Sequence, residues 1–388
     1  MAKVISKKIN RKNPDSNIRK GLVGVIADTT DISRVMPETN SLTYRGYAVQ
    51  DLAKQCSFEE VAYLLLNGEL PNRIELNKFR RKERSLRNIT SVHAQVIAKF
   101  PKKSHPMDTI RTAVSYLGTN EIAWGNEAVE VDRERAINML AKIPTMIATD
   151  FRYRNSKKRI TPRTDLTFSE NFFHMCFGRV PPKPVVKAFD ISLILYAEHS
   201  FNASTFTSRV IASTRSDIYS AIVGGIGALK GPLHGGANEA VMDMMRKIRT
   251  PKRADSWIRD AIRNKKLIMG FGHRVYKNGD SRVPTMKNCL ENLTKWSGDT
   301  KWLDIYNILA DIFINEKGIY PNLDFPSGPA YYLMGFPVNL YTPIFVMSRI
   351  TGWSAHYMEQ NKNNSLIRPL SAYSGRAQRK VPTIAKRK

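Results

Sequence analysis

The chain has 388 residues, 42% of them hydrophobic and 9% aromatic, enough to bury one large core or two lobes. Its 61 Lys and Arg against 34 Asp and Glu give a formal net charge of +27. No apolar run is long or clean enough to span a membrane, since Ala221–Leu229 is short and Val185–Ala197 contains Lys187, Asp190 and Ser192. Three scattered cysteines, Cys56, Cys176 and Cys289, exclude a disulfide framework and a zinc cluster.

Basic residues run along the whole chain, in Lys78–Arg87, Arg152–Arg163, Arg246–Arg253 and Arg376–Lys388. No zinc finger, aromatic RNA-binding motif or basic zipper accompanies them, so they read as a solvated basic surface rather than a nucleic-acid site. Met1–Lys20 is basic but lacks the apolar stretch of a secretory signal. Asn10, Asn13-Pro14-Asp15 and Asn17 interrupt any amphipathic helix there. Residues 1–20 are therefore expected to be a flexible basic arm of a cytoplasmic protein.

Leu42–Tyr47 predicts a short hairpin arm. Phe58–Leu66 predicts a helix capped by Ser57, with Glu59 and Glu60 in its first turn and Asn67-Gly68 and Pro71 as its stop. Ile74–Arg87 follows as a very basic helix, then one from Pro106 through Leu117-Gly118. Arg133–Ala148 is expected to kink or break at Pro144. Val185–His199 carries Ala188, Ile191, Ile194 and Leu195 at helical period. Asp217–Leu229 holds Gly224, Gly225 and Gly227, costly inside a helix unless another helix approaches closely. It follows no strand and lacks the last glycine of a dinucleotide loop. With few strand signals, the expected fold class is all-α, with roughly fifteen to twenty helices.

Three segments break this pattern with glycine, proline and polar side chains. In Gly231-Pro232-Leu233-His234-Gly235-Gly236 the histidine precedes a helix carrying Ala240, Val241, Met244, Met245 and Ile248. A helix N-terminus disfavours the imidazolium, and a neutral imidazole can donate to a developing oxyanion. The double glycine would let a ligand approach the backbone, while the bland alternative is a histidine capping its own helix. His273 follows Gly270 and Gly272 and precedes Arg274, Lys277 and Arg282, cations suited to phosphates or carboxylates, with Arg282 placed for a bidentate clamp. The alternative is a glycine turn with solvated charges. Asp324, in Pro321-Asn322-Leu323-Asp324-Phe325-Pro326, has apolar neighbours that would raise a carboxylate toward a useful base, or it is an N-cap. His199 ends one helix as Asn202 or Ser204 starts the next, and Arg349 and Arg368 lie near the C-terminus.

Together these segments resemble the citrate synthase family, from about Gly21 to Pro382. Gly270–Arg282 is similar to its signature glycine–histidine–arginine loop, and Pro232–Glu239 and Asn322-Leu323-Asp324 to its other catalytic segments. Gly21–Thr30 and Leu42–Tyr47 look closest to the bacterial 2-methylcitrate synthase branch. The resemblance implies an all-α homodimer with a large domain (21–234 and 336–388) and a small mobile one (235–335). It implies an acyl-CoA:oxaloacetate condensing enzyme using propionyl-CoA or acetyl-CoA, with no cofactor or metal. Asp324 would be the base, His234 the enol donor, and His273 the group that polarises the ketone. His199, Arg282, Arg349 and Arg368 match oxaloacetate-binding positions, Arg368 reaching across from the other subunit. Ile268, Met269, Gly270, Phe271, Gly272 and Lys277 match the coenzyme A stretch. The charge leaves one competing expectation, a non-catalytic basic scaffold on the same fold binding nucleic acid or an acidic partner.

Overall fold

A computed structural model of the chain describes residues 18–120, 128–273, 275–276 and 278–387. Most of the expected N-terminal arm, and Arg274 and Lys277, lie outside the described residues. Thr30–Leu366 forms one compact unit; the described residues up to Thr29 and from Ile367 onward form another. The second unit has short 3-10 turns at Lys20–Leu22 and Ile384–Lys386 and is otherwise irregular. It exposes Ile26, Leu370, Tyr373, Val381 and Ile384.

The main unit is built from sixteen α-helices among the described residues. In chain order they are α1 (Val49–Gln55), α2 (Phe58–Asn67), α3 (Arg73–Leu86), α4 (Ser91–Ala98), α5 (Pro106–Gly118), α6 (Val129–Arg154), α7 (Phe168–Phe177) and α8 (Lys183–Tyr196). Then come α9 (Ala203–Ser213), α10 (Ile218–Leu229), α11 (Ala237–Ile248), α12 (Pro251–Arg263), α13 (Val283–Ser297), α14 (Lys301–Lys317), α15 (Asp324–Leu333) and α16 (Tyr341–Lys362). Local capping starts several of them. Ser57 and Glu60 form a reciprocal capping box on α2, as do Asn72 and Glu75 on α3 and Thr167 and Glu170 on α7. Gly68, left-handed at φ 96°, closes α2 where the stop was expected.

Helix α16 is the axis of the main unit. It is buried on every face from Tyr341 to Met358, and α2, α6, α8, α9 and α10 pack around it. Against expectation, α6 runs unbroken through Pro144 for 26 residues. Proline removes one backbone hydrogen bond, but Ala136 to Asp150 are largely buried here, and that packing holds the helix together. The glycines of α10 do permit close approach: a Cβ on Gly224 would stand 2.2 Å from Ile211 of α9, and one on Gly225 would stand 2.6 Å from Ser208 Oγ. Toward the second half, α11 packs on α15 and α12, α12 on α14, and α13 on α15 and α8.

The expected hairpin arm is part of a three-stranded antiparallel sheet: β1 (Ser33–Met36), β2 (Ser41–Tyr44) and β3 (Tyr47–Ala48). Ser33 pairs with Tyr44, and Thr43 with Ala48. This sheet clamps the α8–α9 link. The Tyr44 hydroxyl donates to the Glu198 carbonyl at 2.9 Å, and Ser33 Oγ donates to Glu198 Oε1 at 2.9 Å and accepts from Ser200 N–H at 2.9 Å.

Candidate active site

The C-terminal end of α8 is the hub of the site. Helix ends leave carbonyls without intrahelical partners, and two arginines use them here. Arg349 Nε, from α16, donates to the Tyr196 carbonyl at 2.7 Å. Arg282 Nη1, at the start of α13, donates to the Leu195 carbonyl at 3.3 Å. The Tyr196 phenol donates to Asp324 Oδ1 at 2.7 Å. Three segments far apart in sequence thus meet on two residues of α8.

Two loops join side by side to bring the sequence motifs together. Phe271 and Pro321 form an isolated antiparallel bridge, with Gly272 N–H donating to the Tyr320 carbonyl at 2.9 Å and Asn322 N–H to the Gly270 carbonyl at 2.8 Å. Asn322 Nδ2 adds a bond to the Gly272 carbonyl at 3.0 Å. Gly270 has φ +83°, and a Cβ there would lie 2.6 Å from Val241 Cγ2 and 2.9 Å from Phe325 Cβ, so no other residue fits. Ile268 is buried in the core, while Met269, Phe271 and Gly272 are half-buried along the paired loop.

Asp324 is the first residue of α15, whose N-cap is Leu323, so the aspartate is not the cap. Burial pushes its carboxyl up to about 6, against the Tyr196 hydrogen bond and the Arg282 and Arg349 cations. That is the range of a useful general base.

His234 lies in a tight turn ahead of α11, and Gly236, not His234, is the N-cap. Its ring Nε2 is 2.8 Å from Ser204 Oγ, and Ser204 N–H points at the same nitrogen from 3.4 Å. Trp353 Nε1 donates to Ser204 Oγ at 3.1 Å, occupying an acceptor site of that hydroxyl. The Ser204 hydroxyl also faces Asn202 Oδ1 at 2.8 Å, but the Ser204 N–H can only donate, so Nε2 accepts, and the ring proton sits on Nδ1, available to donate. Burial, then Arg349, lowers the imidazole to about 3, so it is neutral. Gly235 is also tightly packed. A Cβ there would stand 2.5 Å from Leu229 Cγ and 2.6 Å from the Leu229 carbonyl, so its smallness lets the turn fold against α10.

His273 is neutral as well, lowered to about 4 by burial and by Arg282. Its Nδ1 accepts from the backbone N–H of Val275 and Tyr276 at 3.0 and 3.1 Å, which leaves the proton on Nε2. The His199 ring centroid is 5.0 Å from that of His273. His199 is held well below its ordinary pKa by burial and by Arg282, His273 and Arg349, and its buried Nε2 has no partner among the described residues.

The cations differ in how they are held. The Arg282 fork clamps the chain's own Asp280, Nε to Oδ1 at 2.9 Å and Nη2 to Oδ2 at 2.7 Å. Asp280 Oδ2 also accepts from Leu323 N–H at 3.2 Å, tying Arg282 to the Asp324 loop. Arg349 is buried over the Phe345 ring with Nη1 unpartnered among the described residues, and burial lowers it to about 10. Arg368 belongs to the other compact unit and is exposed. Among the described residues no three His, Cys, Asp or Glu side chains converge to hold a metal.

Sequence reasoning missed Tyr196, Ser204, Asp280 and Phe345. Tyr196 and Phe345 sit in apolar stretches and read as core; the available signal was a buried phenol, which needs a partner. Phe345 lies 4.3 Å from Tyr196 and 6.3 Å from His234, centroid to centroid, a shared floor for the site. The arrangement sets one raised carboxylate, two neutral histidines with known donor atoms, and a buried cation around one region. That suits removal of a carbon-bound proton with stabilisation of the oxyanion it creates.

A family model described as citrate synthase, C-terminal domain, matches residues 21–370. A 2-methylcitrate synthase of Mycobacterium tuberculosis (strain H37Rv) is 56% identical over 371 residues, 96% of this chain and 93% of that one. A citrate synthase of Mycolicibacterium smegmatis is 56% identical over 364 residues, 94% of this chain and 97% of that one. Among solved structures, the citrate synthase of the archaeon Thermoplasma acidophilum, in ternary complex with carboxymethyl coenzyme A and oxaloacetate, superposes with TM-score 0.91 at 36% identity, covering 95% of this chain and 99% of that one.

Proposed function

The chain belongs to the citrate synthase family, and from that premise we propose how its residues condense an acyl-CoA with oxaloacetate. The observation that carries the reading is Asp324, a carboxylate raised to about 6, held by Tyr196 and within the field of Arg282 and Arg349. Asp324 takes a proton from the carbon next to the thioester carbonyl. His234 Nδ1–H donates to the enol oxygen. His273 Nε2–H polarises the oxaloacetate ketone. The enol carbon bonds to the ketone carbon, and the new alkoxide takes its proton from His273. Water then cleaves the thioester and releases CoA with the tricarboxylate product. In that hydrolysis the water gives a proton back to His273, the leaving thiolate takes the proton held on Asp324, and the new carboxyl group ionises into solvent, so both side chains return to their starting states.

Oxaloacetate is a dianion. Arg349, with Nη1 unpartnered among the described residues, and His199, with Nε2 unpartnered, offer it donors, and Arg282 supplies charge beside them. Arg368, brought from the partner of a homodimer, completes the set. Coenzyme A runs along the Ile268–Gly272 strip toward Lys277. The small domain, 235–335, closes on the large one after oxaloacetate binds, excluding water. The enzyme is cytoplasmic and prefers propionyl-CoA, making 2-methylcitrate, with acetyl-CoA as the lesser substrate. Support for that preference is the opening segment and the names of relatives at 52–56% identity, one of which is a citrate synthase. A single methylene is worth only about 1–3 kcal/mol of discrimination, so both substrates are used.

Initial rates of CoA release with saturating oxaloacetate test this. A higher kcat/KM for propionyl-CoA than for acetyl-CoA is expected. The reverse order overturns the acyl preference, and no CoA release from either thioester overturns the activity.

A further inference from the structure

Glu239 stands on the first turn of α11, five residues beyond His234. Its Oε2 lies 3.0 Å from His105 Nε2, and its Oε1 accepts from the Thr342 backbone N–H at 3.1 Å and from the Thr342 hydroxyl. His105 is the N-cap of α5, and its Nδ1 accepts from Met107 N–H at 3.2 Å. That bond leaves the ring proton on Nε2, aimed at Glu239. Thr342 opens α16, and its hydroxyl also lies 3.4 Å from the carbonyl of Gly235, the residue after His234. One carboxylate thus fastens the starts of α5, α11 and α16, where helix dipoles favour negative charge.

We propose that Glu239 is a positioning residue that holds His234 in its donor orientation; this rests on the role given to His234 above. The His234 turn is held within itself by His234 N–H on the Gly231 carbonyl at 2.9 Å and Ala237 N–H on the His234 carbonyl at 3.2 Å, and Gly235 packs on Leu229, but these bonds do not tie α11 to α5 and α16 as Glu239 does. Leu233 beside it is 93% exposed, and the His234 ring is hydrogen-bonded through Nε2 to Ser204 alone. Apolar packing of Val241, Met242 and Met245 sets the distance of α11 from its neighbours, but such contacts are not directional. The hydrogen bonds to Glu239 are directional, so they fix how α11 is rotated and where the turn ahead of it points. None of them involves His199, His273, Arg282 or Arg349.

The test is Glu239→Gln in the full-length enzyme. The amide has one accepting atom in place of two, so its NH2 must face either His105 Nε2–H or Thr342 N–H, a donor against a donor. A displaced His234 weakens enol stabilisation and leaves the oxaloacetate contacts in place. The expected result is a fall in kcat for CoA release of about 10- to 100-fold, with the oxaloacetate Kd within about twofold of wild type. Thr342→Val, which removes the hydroxyl, should lower kcat in the same way, and Thr342→Ser should restore it. That pair also decides the matter if Glu239→Gln does not fold. Unchanged kcat in Glu239→Gln and Thr342→Val, or oxaloacetate affinity lost in parallel with kcat, overturns the proposal. A wild-type enzyme that releases no CoA would instead overturn the proposed activity.

Discussion

Tyr196 donates its phenol hydrogen to Asp324 Oδ1 at 2.7 Å, while its own carbonyl holds Arg349. Burial raises Tyr196 well above an ordinary phenol, so it stays protonated and remains a donor at any working pH. The base is thereby kept from rising further, even though burial has moved it to about 6.

Tyr196→Phe removes that donor at almost constant volume. A hydrogen bond to a charged group contributes about 1.5–3 kcal/mol, so the carboxyl should rise by about one pH unit or more. The base works deprotonated, so wild-type kcat/KM should fall as pH drops through about 6, and the variant should lose activity at a higher pH. A pH–rate profile with an unmoved acid limb would mean that Tyr196 does not tune the base.

Asp324→Asn should abolish turnover yet stabilise the fold at neutral pH. The folded carboxyl sits at about 6 against 3.8 for an ordinary aspartate, so ionisation favours the unfolded chain as pH rises through that range. The penalty is up to about 3 kcal/mol above pH 6, shrinks as pH falls, and is gone below about pH 4. Thermal unfolding from pH 4 to 8 should show the Asn variant ahead at pH 8 and level with wild type at pH 4. A variant less stable at pH 8 would contradict this.

Arg349→Met removes a buried cation whose Nη1 has no partner among the described residues. Its loss leaves the Tyr196 carbonyl without that donor and the buried Glu198 carboxylate with one cation fewer, so it costs stability. The free protein should lose Tm, and the Tm rise on adding oxaloacetate should disappear. Retention of that rise, followed by scanning fluorimetry, would remove Arg349 from the substrate site.

Gly270→Ala meets both a positive φ and hard contacts with Val241 and Phe325, and should cost several times more stability than Gly298→Ala. Gly298 has φ +72° but open space around it, so alanine there meets only backbone strain, about 1 kcal/mol. Urea midpoints of the two variants compare them directly, and equal losses would show that the paired loops can yield.

The features legible in the sequence were local ones. The Ser57 cap, the Gly68 stop and the Asn202–Asp217 helix starts depend on residues a few positions apart. Where the reading went astray, a distant neighbour decided. Pro144 does not end α6, because the helix is buried around it. Arg282 holds Asp280 two residues away, but the same Asp280 reaches Leu323, 43 positions on.

The sequence by itself determined the helical character, the capped starts and stops of helices such as α2 and α5, and the three polar segments, because period, caps and motif spacing are properties of short stretches. Only the tertiary structure decided that Tyr196 meets Asp324 across 128 residues, which ring nitrogen of His234 and His273 carries the proton, and that Arg349 keeps a donor unpartnered. Protonation and donor direction follow from burial and from the atoms that surround a group, and those surroundings exist only once distant segments have packed together.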